Sequence, residues 1–133
     1  MVYIKQMEPL GTKLNSGDFI VTKDKVYLDK KITDGKPGMI LIHAKWCGHC
    51  QRFMPTFNEL VGQLKSNFPL VSIEDADLAN SESLTTALNF RGYPTIKFFD
   101  QSGAIIGDYK GQRSKTDVLA HVCKVYHHCI LEH

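Results

Sequence analysis

Two cysteines separated by two residues, Cys47 and Cys50, have the clearest chemical potential in this chain. They follow a short unbroken apolar segment and open an amphipathic one, so we expect both thiols at the start of a helix. Residues three apart share one face of a helix, where two thiols can reach disulfide geometry with little backbone movement. The pair therefore predicts a site that alternates between dithiol and disulfide.

The positions of the two thiols make them chemically inequivalent. Cys47 lies at the helix start, where unpaired N–H groups and the helix dipole favour an anion, so we expect a stabilised thiolate that acts as the nucleophile. Cys50 lies one turn further in and suits the thiol that attacks a mixed disulfide from within. Gly48 leaves space beside the nucleophile, and His49 can place partial positive charge near it. Both favour the reduced form and make the disulfide more oxidising.

Half of a zinc site is one alternative for this pair, completed by Cys123, Cys129 or nearby histidines. Knuckle-type zinc sites usually repeat a short C-x-x-C or H-x-x-x-H spacing, which this chain lacks, so we expect no metal and no organic cofactor. A plain structural disulfide between Cys47 and Cys50 is the other alternative.

Two further cysteines, Cys123 and Cys129, lie near the end of the sequence. Six residues rise about 9 Å on a helix, beyond the roughly 7 Å Cα separation that a disulfide bridges, so they cannot pair unless the helix ends between them. We expect Cys123 to be a small buried apolar residue of the last helix. We expect Cys129 to lie in a frayed, inert tail, with an intermolecular disulfide or a metal contact as alternatives.

The elements that position the reactive pair are those of an α/β domain. Residues 39–42 are apolar without alternation, as expected of a central strand covered on both faces. Helical spacing over 48–68 predicts a helix that Pro55 kinks rather than ends. The remaining predictions are strands or a first helix at 19–21 and 26–28, a strand at 69–73, a short helix from about Ser81, a hairpin of 95–99 with 104–109, and a closing helix over 118–126.

Size and composition favour one globular domain. The chain has 133 residues and a net charge of +2, with lysines scattered among acids, so a nucleic-acid surface is not expected. No apolar run approaches the roughly 20 residues that span a bilayer, so no membrane association is expected. We divide the chain into a turn-rich N-terminal extension, 1–18, and a single domain, 19–133. We expect a monomer. Because the first ten residues lack a secretory signal, we also expect the cytoplasm or another non-secreted compartment. Processing or fusion would leave an oxidising compartment open.

Three segments form a joint pattern: Trp46-Cys47-Gly48-His49-Cys50, then Pro55, then Arg91-Gly92-Tyr93-Pro94-Thr95 before a strand. Over about residues 38–125 this pattern resembles the thioredoxin superfamily, specifically a thioredoxin domain of the protein disulfide isomerase type. The resemblance implies a thioredoxin fold, with a central mixed β-sheet and helices on both faces. It also implies a thiol-disulfide oxidoreductase that acts on protein thiols and disulfides and is recycled by a separate redox partner.

The resemblance also implies how substrate is held. The Tyr93–Pro94 peptide would be cis and packed against the disulfide, the alternative being an ordinary turn proline. The backbone of Gly92 and Tyr93 would form an edge for an extended substrate segment, with Trp46 as an apolar wall; a core position is the alternative for Trp46.

Two positions near the second cysteine bear on its reactivity. Arg113 matches an arginine that can approach Cys50 and lower its pKa, the alternative being a solvated loop arginine. Leu41 stands where the family typically has a buried acid that shuttles the proton of the resolving thiol. In the family a lysine often partners this acid, and its position would fall near Asp75. Either both members of that pair are lost, or an acid enters from the other strand. The loss favours a second hypothesis, a binding module for partner polypeptides with little turnover.

Overall fold

The computed structural model describes residues 7–23 and 25–130, and within them the chain forms seven strands and five α-helices. The strands are β1 (Thr12–Lys13), β2 (Phe19–Val21), β3 (Val26–Leu28), β4 (Gly38–His43), β5 (Leu70–Glu74), β6 (Thr95–Phe99) and β7 (Ile105–Asp108). The helices are α1 (Lys30–Thr33), α2 (Gly48–Leu64), α3 (Asp75–Leu78), α4 (Glu82–Leu88) and α5 (Lys115–Tyr126).

The central sheet is mixed and has β4 in its middle. Its strand order is β1-β5-β4-β6-β7, in which β5 runs parallel to β1 and β4, whereas β6 runs antiparallel to β4 and β7. Every residue of β4 is buried, as its unbroken apolar run predicts. The strands β2 and β3 form a separate antiparallel pair, so these segments are strands and not a first helix.

Successive residues of β4 face opposite sides of the sheet, and each side has its own core. Met39 and Leu41 pack with apolar residues of α2 and α5 on one side. Ile40 and Ile42 pack with apolar residues of α3, α4 and the β2–β3 pair on the other. Helices therefore cover both faces of a mixed sheet, which confirms the expected fold class.

The helix α2 begins directly after the reactive loop and continues through Pro55. Its apolar face, including Phe53, Phe57 and Leu60, is buried against the sheet. Because a proline removes only one backbone hydrogen bond, this packing is sufficient to carry the helix past it. The helix ends at Leu64, earlier than the periodicity predicts, where Lys65 adopts a positive φ of 54° and a 3-10 turn follows.

The N-terminal segment differs in part from the predicted extension. Residues 1–6 lie outside the described part of the chain, but Thr12–Lys13 form an edge strand paired with β5. Leu14 is buried in the core between the sheet and α4. The sheet therefore begins before residue 19, where we placed the start of the domain. A two-residue strand has no periodicity of its own, and only its pairing with β5 defines it.

The C-terminal cysteines require a correction. Cys123 and Cys129 form an intramolecular disulfide with a Cα separation of 4.3 Å. The helix α5 ends at Tyr126, and His127 reverses the chain in the left-handed region with a φ of 57°. The helix thus ends between the two cysteines, which was our stated condition for pairing. The expectations of an inert frayed tail and of an unpaired, buried Cys123 are wrong.

Candidate functional site

The loop between β4 and α2 places the first cysteine at the helix start. Cys47 is the N-cap residue of α2, and its backbone N–H donates to the Ala44 carbonyl at 3.1 Å. The Cys50 backbone N–H donates to Cys47 Sγ at 3.3 Å. The Cys47 sulfur thus caps the helix by accepting from a backbone N–H group that would otherwise have no partner. The two free cysteines meet at the position predicted from their spacing.

The second cysteine lies beneath the first and is almost inaccessible. Cys50 is 1% exposed and packs in a small cluster with Ala44, Cys47 and Tyr93. Burial, followed by the hydrogen bond with Cys47, raises the pKa of the Cys50 thiol to about 12, although the Ala44 backbone and the charge of Arg113 lower it. The thiol is therefore protonated at neutral pH and must lose a proton before it can attack.

Arg113 lies in the exposed loop between β7 and α5. The Tyr109 hydroxyl donates to the Gln112 carbonyl at 2.6 Å and holds this loop. The positive charge of Arg113 lowers the pKa of Cys50, but its effect is smaller than those of burial, the Cys47 thiol and the Ala44 backbone. Arg113 is therefore an exposed loop residue whose charge has a small effect on the buried thiol.

The two residues between the cysteines are exposed at the start of α2. Gly48 begins the helix, and Arg52 Nη1 lies 3.5 Å from where a Cβ on Gly48 would be. Arg52 also donates to His49 Nδ1 at 2.7 Å. Since a guanidinium can only donate, Nδ1 of His49 is the acceptor in this contact. The fixed positive charge beside the helix start is that of Arg52, which our sequence reasoning missed despite its helical i, i+3 spacing from His49.

The Tyr93–Pro94 peptide is cis, as the resemblance implied, and it lies against the reactive pair. The Cys47 thiol donates to the Tyr93 carbonyl at 3.4 Å. The Thr95 hydroxyl donates to the Gly92 carbonyl at 2.6 Å and closes the turn before β6. Gly92 is exposed and Pro94 is half-buried, so the backbone at this turn is reachable from solvent.

Trp46 lies on the surface and not in the core. It is 71% exposed, and its ring meets the Tyr93 ring edge-on with centroids 5.5 Å apart. The indole Nε1–H donates to Asp75 Oδ2 at 2.8 Å. Asp75, at the start of α3, therefore orients the exposed Trp46 ring, a contact that sequence reasoning did not predict.

The buried acid expected beneath the second cysteine is absent at its usual position. Leu41 is fully buried and lies in register with Ser72 of β5, whose hydroxyl has no hydrogen-bond partner among the described residues. A buried acid does lie on the neighbouring strand, two residues further along the register, but it is not among the groups that shift the pKa of Cys50. Glu74 is 6% exposed, pairs in register with His43, and forms an ion pair with Lys13 at 2.9 Å.

His43 is buried beside this carboxylate. Burial lowers the pKa of His43, although the charge of Glu74 opposes that effect. Its Nε2 has no hydrogen-bond partner in the described part of the chain. The histidine is therefore neutral at physiological pH within a charged cluster at the carboxyl ends of β4 and β5.

Residues 7–23 and 25–130 contain neither a metal-binding cluster nor a membrane-spanning helix. No group of three or more His, Cys, Asp or Glu residues among them is arranged to hold a metal ion. None of the helices in that part of the chain is long and apolar enough to cross a membrane.

Comparison with known proteins agrees with this fold and site. The Thioredoxin family model matches residues 19–124. Protein disulfide-isomerase A4 of Mus musculus is 30% identical over 112 residues, covering 84% of this chain and 16% of that protein. Protein disulfide-isomerase of Datisca glomerata is also 30% identical over 112 residues, covering 82% of this chain and 22% of that protein.

A solved structure gives the same result. The solution structure of the first thioredoxin domain of mouse protein disulfide-isomerase A4 aligns with a TM-score of 0.60 and 28% identity. The alignment covers 86% of this chain and 72% of that one. The chain therefore spans one domain's length of much longer relatives, and with its sheet, its paired cysteines and its cis-proline it belongs to the thioredoxin family, where it is similar to the disulfide isomerases.

Proposed function

We propose that this chain is a thiol-disulfide oxidoreductase for protein substrates, and the observation that carries the proposal is the Cys47–Cys50 arrangement. In the reducing direction, Cys47 Sγ attacks a substrate disulfide, and one substrate sulfur leaves as a thiolate that takes up a proton. Cys50 then loses its proton and attacks Cys47 Sγ. The second substrate sulfur then leaves as a thiolate. The substrate has gained two electrons, and the Cys47–Cys50 dithiol has lost them in forming its disulfide.

Oxidation of a substrate is the reverse sequence. A substrate thiolate attacks Cys47 Sγ of the internal disulfide, and a second substrate thiolate resolves the mixed disulfide. The disulfide between Cys123 and Cys129 supports an oxidising compartment, since disulfides persist there. A separate redox partner then returns the Cys47–Cys50 couple to its working state.

Substrate would dock at the turn before β6. The exposed Gly92 and the half-buried Tyr93 and Pro94 offer a backbone edge to an extended segment, next to the Cys47 sulfur. Trp46, oriented by Asp75, supplies an apolar surface beside that edge. We assign Gly92, Tyr93, Pro94 and Trp46 to substrate binding, in a single domain that includes β1 and acts as a monomer.

A binding module with slow turnover is the second candidate, and two observations favour it. The pKa of Cys50 is raised to about 12, and Leu41 replaces the acid that would take its proton. Both slow the resolving step, so a mixed disulfide between Cys47 and a partner would persist.

Insulin reduction and refolding of a reduced, denatured protein test the two candidates with wild type, Cys50→Ala and Cys47→Ala. An oxidoreductase turns over as wild type, accumulates mixed disulfides as Cys50→Ala, and is inactive as Cys47→Ala. A slow binder that holds its partner through Cys47 suppresses aggregation equally as wild type and as Cys50→Ala, and loses the held partner as Cys47→Ala. Equal behaviour of the three would refute the proposed redox function.

A further inference from the structure

A groove runs past the Tyr93–Pro94 bond along the ends of β6 and β7. It consists of two adjoining cavities, of about 540 Å³ and about 250 Å³. The first cavity extends to Arg91 and the second to Arg113. We call this surface the cis-proline groove, and the residues shared by both cavities are Pro94, Thr95, Asp108 and Lys110.

The charge of the cis-proline groove is positive and uncompensated. Arg91, Lys110 and Arg113 are all exposed, and none of them forms an ion pair with another described residue. The one acidic residue of the lining, Asp108, is bonded to the buried ammonium of Lys97. Three positive charges therefore remain without a partner among the described residues, around two cavities that adjoin Pro94.

The surroundings of Trp46 have a different character. There Asp75 accepts the Trp46 indole, and the buried Glu74 is paired with Lys13. Asp75 keeps its negative charge there and Glu74 is ion-paired, whereas the three cations of the cis-proline groove have no ion-pair partner among the described residues. The net charge of the whole chain is only +2, so three cations clustered around one acid that is already bonded to Lys97 are a local excess of positive charge.

We infer that the cis-proline groove selects acidic substrates: extended polypeptide segments with Asp or Glu within about four residues of the reacting cysteine. The inference rests on the proposed redox function and names its substrate class. An extended chain advances about 3.3 Å per residue, so a segment held at Tyr93 passes both Arg91 and Lys110 within a few residues. Carboxylates there meet unpaired cations in a partly enclosed channel, which favours encounter and orientation.

At low salt we expect the second-order rate constant to be about tenfold higher for an acidic segment than for a basic one. Each of the three exposed ion pairs between the segment and the groove contributes modestly to this difference. The preference shrinks to about twofold at 0.5 M salt, where screening removes most of it.

The test uses the full chain and three short cysteine peptides flanked by Asp, Asn or Lys, each as its mixed disulfide with 2-mercaptoethanol. Each rate is divided by the rate of the same peptide with dithiothreitol, which removes differences in intrinsic reactivity. Lys110→Glu and Arg91→Glu are the informative variants, and Lys124→Glu, on the exposed face of α5, is the control with the same change in net charge. Far-ultraviolet circular dichroism verifies that each variant folds.

The inference is supported if wild type and Lys124→Glu prefer the Asp peptide while the groove variants lose or invert that preference. It is overturned if wild type reduces the Asp and Lys peptides at equal normalised rates, or if all three variants behave alike. Hydroxyethyl disulfide, small and uncharged, separates this outcome from failure of the redox function. A chain that does not reduce it lacks the proposed activity, whereas one that reduces it without peptide preference lacks only the selectivity.

Discussion

The buried thiol of Cys50 gives the sharpest prediction, because its protonation limits the step that ends each cycle. Burial moves its pKa from the ordinary 9.0 to about 12, a difference of about three. At pH 7 the thiolate fraction falls from about one in 10² to about one in 10⁵, roughly a thousandfold. The rate of any reaction through this thiolate should then rise tenfold per pH unit well above pH 9.

Alkylation by iodoacetamide between pH 6 and pH 11 measures this profile. In a Cys47→Ser variant, Cys50 is the one free thiol of the described chain, because Cys123 and Cys129 are joined to each other. The substitution also removes the hydrogen bond with the Cys47 sulfur that raises the pKa, so the inflection should fall somewhat below 12 but remain above 9.0. The same variant in guanidinium chloride supplies the unfolded reference.

Arg113→Gln on the same background should move the inflection upward, since the arginine charge lowers the Cys50 pKa. Lys110→Gln, in the same loop, is the matched control, because it is not among the influences on that thiol. An inflection at or below 9.0 in the folded protein would refute the argument from burial.

The same shift links stability to pH. The native state holds the Cys50 proton more tightly than the unfolded state, so the stabilisation is complete below pH 9 and is lost as pH rises towards 12. Urea unfolding of wild type and Cys50→Ala at pH 8 and pH 10.5 isolates this contribution. Burial also raises the pKa of Tyr126 to about 12, and its contribution cancels because both proteins contain it. Wild type should lose more stability than Cys50→Ala, and equal losses would contradict the linkage.

Four further substitutions test other parts of the molecule. Leu41→Glu should lower the urea midpoint, because it places a carboxyl group in the core, yet should accelerate release of mixed disulfides at neutral pH; an unchanged release rate would show that proton transfer is not limiting. Cys123→Ser should lower the free energy of unfolding by about 2 kcal/mol, the loop entropy for a sequence separation of 6. Cys129→Ser should match it, and the argument fails if neither variant loses stability. Asp75→Ala should lower the fluorescence anisotropy of Trp46, the single tryptophan, by removing its hydrogen-bond acceptor; unchanged anisotropy would mean that this bond does not hold the indole.

The redox pair and its immediate supports were predictable because their signals are local. An unbroken apolar strand, a helix of regular period and two cysteines at its start lie within one short stretch, and the resemblance added the cis bond at Pro94. The hairpin of β6 and β7 was equally predictable, since its turn and its two strands are adjacent along the chain. Short-range periodicity is sufficient for such elements.

The features that sequence reasoning missed or left open depend on contacts between distant segments. The strand β1 exists only through its pairing with β5, and Glu74 meets His43 only through the register of β5 on β4. The reversal at His127 that joins Cys123 to Cys129 accompanies the stacking of His128 on Phe68, a residue far away in the sequence.

The composition of this chain and the order of its residues determined where the reactive sulfurs lie and which helix presents them, because the helical period acts over a few residues. Tertiary structure alone decided how deeply Cys50 is buried and which cations gather beside Pro94. Desolvation and the summed field of charges depend on distance in space, and no spacing along a chain specifies that distance.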